Sequence, residues 1–196
     1  MRDYAAVVLA GGAGRRLGGP AKPALPVAGQ SMLDRVLRAV RDAAPVVVVG
    51  DQAVPAGVLA TVEDPPGSGP AAATAAGVAR LPEDVAEVAL LAADLPFLTP
   101  PALDHLRRAL EASTVDGMLY VDGDGRRQLL CGVWHTAALR AALHRLAGAR
   151  GLAGASMRAL FAELNVGTVA WTEPGPPPWF DCDTDDDLRQ AEEWAR

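Results

Sequence analysis

The chain has 196 residues, half of them hydrophobic and few aromatic, which suffices for one domain with its own core and excludes disordered and fibrous classes. A formal charge of −6, with basic residues grouped locally at Arg15, Arg16 and Lys22, argues against a general nucleic-acid binder. Cys131 and Cys182 lie far apart and His105, His135 and His144 are scattered over predicted helices, so no zinc-ligand spacing exists and a reducing compartment is the default.

Val7-Val8-Leu9 sits in a short apolar run that ends at Gly11-Gly12, the pattern of a buried strand entering a loop. Ser31 predicts a capped helix to about Ala43, with Met32, Leu33, Val36, Leu37 and Val40 at helical spacing. Pro45 stops it. Val46 to Val49 then reads as a second buried strand and Val58 to Val62 as a shorter third. After the break Pro65 to Pro70, Ala71 to Leu81 reads as a helix of small residues. Val88 to Ala92 is a further strand leading into Asp94-Leu95-Pro96, and Thr99-Pro100 opens the next helix. Met118 to Val121 and Gln128 to Trp134 flank Asp122-Gly123-Asp124-Gly125, a hairpin signal. Two more helices, a strand near Val166 to Trp171 and a helix from about Asp185 complete the order.

Alternating strands and helices predict an α/β fold, with a mostly parallel central sheet covered on both faces and a β-hairpin inserted. Glu173 to Trp179 is too short and too late to divide the chain, so residues 1–196 read as a single domain. No apolar stretch approaches the ~20 residues that span a bilayer, and the start shows no signal-peptide pattern; the expected location is the cytoplasm, with no membrane partner.

Ligands of open α/β sheets bind at the carboxyl ends of the strands. Four unusual segments fall there: Gly11 to Lys22, Asp64 to Pro70, Asp94 to Pro96 and Asp181 to Thr184. In the first, glycines let backbone N–H groups approach an anion, and Arg15, Arg16 and Lys22 can neutralise a polyphosphate. A dinucleotide fingerprint fails because Leu17 stands where its third glycine belongs, and a P-loop fails because Lys22 lies between Ala21 and Pro23.

Leu9-Ala10-Gly11-Gly12, with Arg16, Gly18, Gly19 and Lys22, resembles the N-terminal signature of the molybdenum cofactor guanylyltransferases, MobA-like nucleotidyltransferases with a Rossmann-like fold. The resemblance runs along nearly the whole chain. Glu63-Asp64 and Gly69-Pro70 resemble the acidic pair and loop after the third strand, Ala93-Asp94-Leu95-Pro96 the metal motif, and Asp181 to Thr184 with Asp187-Leu188 the C-terminal motif.

The resemblance implies transfer of GMP from GTP to the phosphate of molybdopterin, with release of pyrophosphate. It places Leu9, Ala10, Gly11, Gly12, Lys22, Asp64, Gly69 and Asp94 at the nucleotide, Mg²⁺ on Asp94, and Gln128 at the acceptor. Asp183 is a candidate second metal ligand, although Thr184 with Asp187 also reads as a capping box. Lys22, assisted by Arg16, would carry the charge of the leaving pyrophosphate, and Arg16, Lys22 and Asp94 form the catalytic set. Gly67, Gly69 and Ala71 would let a planar base lie on the backbone, whereas Trp171, Trp179 and Phe180 read as core. Implied protein partners are transient ones, which deliver the cofactor or receive it as molybdoenzymes.

Three departures from the family pattern keep alternatives open. Ala21 replaces an aspartate before the lysine, Val49-Gly50-Asp51 stands where an asparagine is common, and Asp181-x-Asp183 replaces a pair of asparagines. The alternatives are a cytidylyltransferase of the same pathway, a sugar-phosphate nucleotidyltransferase, or a degenerate nucleotide-binding protein.

Overall fold

The computed structural model describes residues 4–11 and 22–196. The strands are β1 (Tyr4–Leu9), β2 (Pro26–Val27), β3 (Gln30–Ser31), β4 (Val46–Val49), β5 (Leu59–Thr61), β6 (Glu87–Ala92), β7 (Gly117–Val121), β8 (Arg127–His135) and β9 (Val166–Ala170). The helices are α1 (Met32–Ala39), α2 (Pro70–Val78), α3 (Pro100–Glu111), α4 (Thr136–Arg150), α5 (Met157–Phe161) and α6 (Asp185–Trp194).

Seven strands form one sheet in the order β5-β4-β1-β6-β8-β7-β9. Only β8 runs antiparallel to its neighbours, where the predicted hairpin folds back between β6 and β7. The expected α/β architecture is therefore present, with helices on both faces. Alternation along β1 explains the two layers. Ala6 and Val8 face Val36 of α1 and Leu103 and Leu106 of α3, while Val7 and Leu9 share a cluster with α2, α4 and α5.

Small residues in α2 let it lie close to the sheet. A β-carbon added at Gly77 would come within 2.4 Å of Val7 Cγ1 and 2.9 Å of Val49 Cγ2. Gly77→Val should therefore destabilise the fold by about 1–3 kcal/mol through overpacking. Calorimetry would read this as a lower Tm, and an unchanged Tm would contradict the packing.

Several boundaries differ from the sequence expectations. The first helix ends at Ala39 rather than near Ala43, because the chain turns at Val40 and the Ala43 N–H bonds back to the Val40 carbonyl. Its start is as expected, with Ser31 Oγ accepting from the Asp34 N–H. The third strand shrinks to Leu59–Thr61. His135 closes β8 and precedes α4 instead of lying on a helix. The unanticipated β2–β3 hairpin turns through Ala28 and Gly29, both at positive φ (48° and 74°), as a tight two-residue turn requires. Among the described residues, no helix is long and apolar enough to cross a membrane.

Candidate functional site

The carboxyl ends of β1, β4 and β6 converge. Both Ala10 and Gly11 donate backbone hydrogen bonds to the Val49 carbonyl (2.8 and 3.1 Å), and the Ala93 N–H donates to the Leu9 carbonyl (3.0 Å). Gly50 packs so closely here that a β-carbon would stand 3.1 Å from the Ala10 carbonyl carbon and 3.2 Å from the Gly11 nitrogen. Leu9, Ala10 and Gly11 thus form one rim of the site. Gly12, Arg15 and Arg16 lie outside the described residues.

Lys22 opens a short 3₁₀ turn (Lys22–Ala24), whose carbonyl end is closed by the Leu25 N–H. Its ammonium contacts Asp94 Oδ2 and donates to Asp183 Oδ1 at 2.6 Å. Residues 161 positions apart thereby meet at one cation. The Lys22 and Asp94 side chains are only 11% and 19% exposed, so water screens their attraction weakly; Asp183 is 72% exposed. Burial works against the Lys22 charge, yet Asp94 and Asp183 together outweigh it and raise its pKa. The ammonium therefore stays charged at neutral pH.

Lys22 is also the sole lysine in the sequence, beside 17 arginines. That signal lies in the composition of the whole chain rather than in any motif. A lysine kept at a single position, in a chain that otherwise uses arginine, marks a place where a compact ammonium differs from a planar guanidinium.

Asp183 and the helix cap are compatible, since different residues serve each. Thr184 Oγ1 accepts from the Asp187 N–H and Asp187 accepts from the Thr184 N–H, a complete capping box. Asp181 is pushed up by desolvation and then by repulsion from Asp183 and Asp94, against the pull of Lys22. Cys182 is buried and its thiol is pushed up to about 12, foremost by desolvation, which makes it a packing residue.

Asp94 Oδ1 is buried and has no hydrogen-bond partner. A buried carboxylate oxygen beside a second carboxylate suits a hard divalent ion, and Mg²⁺ commonly takes one or two protein carboxylates with phosphate and water completing its shell. No group of three or more His, Cys, Asp or Glu suited to a metal occurs among the described residues. The residues present fit an ion shared with a bound triphosphate better than a caged one.

Asp64 is exposed and is not one of the Lys22 ion-pair partners; it borders a cleft of about 390 Å³ lined by Ser68, Ala72, Ala76 and Leu152. The loop around it is pinned, with Glu63 Oε1 accepting from the Gly67 N–H and the Ser68 carbonyl accepting from the Gly154 N–H. Gly69, at φ 92°, turns the chain into the start of α2, a conformation that disfavours other residues. Gln128 sits at the hairpin, where its amide donates to Asp122 Oδ2 (3.0 Å) and the Arg126 carbonyl (3.2 Å). Trp171 and Trp179 pack on the α3-side core, and Phe180 on a separate small cluster.

Gln52 was not foreseen. Its Nε2 donates to the Ala10 carbonyl at 3.0 Å, and its buried Oε1 has no partner. It follows directly on Val49-Gly50-Asp51, the segment that lacks the asparagine, and supplies an amide there one residue later.

The charged group lies at the carboxyl ends of the parallel strands, the place where open α/β sheets bind their ligands. The MobA-like NTP transferase domain matches residues 6–167. The chain is 30% identical over 198 residues to a molybdenum cofactor guanylyltransferase of Bradyrhizobium sp. (strain ORS 278), covering 96% of this chain and 92% of that protein. The chain belongs to the MobA-like NTP transferase family and is a nucleotidyltransferase. Its fold resembles molybdopterin-guanine dinucleotide biosynthesis protein A from Archaeoglobus fulgidus, with a TM-score of 0.71, 22% identity and coverage of 97% of each chain. It also resembles 2-C-methyl-D-erythritol 4-phosphate cytidylyltransferase from Thermus thermophilus, with a TM-score of 0.67, 24% identity and coverage of 99% of each chain.

Proposed function

We propose that this protein is a molybdenum cofactor guanylyltransferase: a phosphate oxygen of molybdopterin attacks the α-phosphorus of GTP, and the bond to pyrophosphate breaks. The observation that carries the reading is Lys22 held against Asp94 and Asp183 at the strand ends, in a chain 30% identical to a protein of that name. The acceptor phosphate is already an anion, so the protein has to gather and neutralise charge rather than supply a nucleophile.

Lys22, with Arg16, would neutralise the triphosphate and the departing pyrophosphate. Leu9 to Gly12 would line the nucleotide with backbone groups, while Asp64 and the Gly69 turn would border the base. Gln128 would meet the acceptor from the hairpin. Asp94 and Asp183 would hold Mg²⁺, which when bound offsets negative charge on the phosphates. Residues 1–196 would act as one domain in the cytoplasm, with GTP and molybdopterin as substrates and transient contact with proteins that deliver or receive the cofactor.

A second reading, cytidylyl transfer, is favoured by Asp181-x-Asp183 in place of an asparagine pair. A thermal-shift titration with GTP, CTP, ATP and UTP, each with and without Mg²⁺, separates the two. Under the guanylyl reading GTP with Mg²⁺ gives the largest rise, about 2.7 kcal/mol of added stability at one hundred times Kd. A larger rise with CTP would transfer the assignment to the second reading, and no shift with any triphosphate would oppose both.

A further inference from the structure

A small apolar cluster lies apart from the two sheet cores, and all three segments that supply the charged group meet in it. Val27 and Met32 come from the elements after Lys22, Phe97 from the loop after Asp94, and Phe180 and Cys182 from the stretch before Asp183. Phe97 stands three residues beyond Asp94 and Phe180 three residues before Asp183, and their ring centroids lie 6.0 Å apart. Trp194, in the last turn of α6, closes the group, edge-on to Phe97 at 5.8 Å and to Phe180 at 4.9 Å. Two residues earlier, Glu192 Oε1 accepts from the Ala28 N–H at 2.9 Å and ties α6 to the β2–β3 turn.

Asp183 needs such a device. Its side chain is 72% exposed, and an ion pair with one partner in water holds little by itself. The Thr184 capping box fixes how α6 begins but not where it lies. Aromatic rings meeting edge-on define both distance and orientation, because the quadrupole of each favours that geometry.

We propose that Phe97, Phe180 and Trp194 form a clasp that sets Asp183 against Lys22 and Asp94, with Trp194 as a positioning residue. The clasp links the two carboxylate-bearing segments by a contact that bears no charge, so their spacing persists when the ions at the site change. Its role in transfer rests on the proposed assignment of Lys22, Asp94 and Asp183 to the phosphate and metal, but its geometry does not.

The unique lysine supplies a test that needs no turnover. Lys22 is labelled with acetic anhydride in the ligand-free protein, and its peptide is quantified by mass spectrometry. Trp194→Ala should speed labelling at least about threefold in the native chain and leave it unchanged in an Asp183→Ala background, since the two residues act as one unit. Trp194→Phe should restore the native rate. At 43% exposure Trp194 can be truncated with little loss of core, and Phe180→Leu provides an independent variant should Trp194→Ala fail to fold.

Equal acceleration in both backgrounds would overturn the clasp, because Trp194 would then act through the fold at large. Native-like labelling of a folded Trp194→Ala chain would overturn it too. GMP transfer, followed in the same four proteins, should fall in the same non-additive pattern. The predicted labelling pattern in a chain that transfers no nucleotide would uphold the clasp and count against the guanylyltransferase reading instead.

Discussion

Asp94→Asn is expected to lower GMP transfer by about a thousandfold, the scale of removing one preorganised electrostatic group from a transfer site. The substitution keeps size and shape but removes the negative charge that faces Lys22 and the buried Oδ1 available to a cation. The two sheet cores do not depend on that charge, so circular dichroism and Tm should stay close to those of the native protein. Steady-state pyrophosphate release checks the result. A folded Asp94→Asn chain with near-native kcat would remove Asp94 from the chemistry.

Lys22→Met is expected to reduce kcat/KM for GTP by about a hundredfold. The methionine retains much of the stem volume but leaves Asp94, Asp183 and Asp181 facing one another without their shared cation. Both triphosphate affinity and turnover should fall, since the ammonium serves the ground state and the leaving pyrophosphate alike. Lys22→Arg should recover only part of the loss, because a planar guanidinium sets its donors in a wider, fixed fork than the compact ammonium that now meets both carboxylates. Full activity in Lys22→Arg would show that charge alone suffices, and unchanged kinetics in Lys22→Met would exclude the phosphate role.

The parts of this molecule that were legible in the sequence are those written in short stretches. Apolar runs such as Val46 to Val49 and Val88 to Ala92, each followed closely by glycine or aspartate, announced buried parallel strands and the loops at their ends. Thr99 and Thr184 announced helix starts, and Asp122 to Gly125 a hairpin. The β2–β3 turn escaped because Ala28-Gly29 lacks the asparagine or aspartate that marks such turns, and its geometry is supported from afar by Glu192.

The site was legible as separate candidates but not as an arrangement. No local pattern states that Lys22 and Asp183 touch across 161 positions, nor that the rings of Phe97 and Phe180 link the segments bearing Asp94 and Asp183. Those contacts follow from tertiary packing, which periodicity does not encode. From sequence Asp183 fits both a metal ligand and a helix start, whereas in the fold the cap is made by Thr184 and Asp187 and Asp183 meets Lys22. Gln52 escaped for a related reason, because its amide reaches Ala10 only once β1 and β4 lie side by side.

The most direct measurement is label transfer from [α-³²P]GTP, with [α-³²P]CTP in parallel, to molybdopterin in the presence of Mg²⁺. The guanylyltransferase assignment predicts label in the cofactor from GTP, matched by pyrophosphate release, and little from CTP. Label from CTP alone, or none from GTP with the native chain, would contradict it.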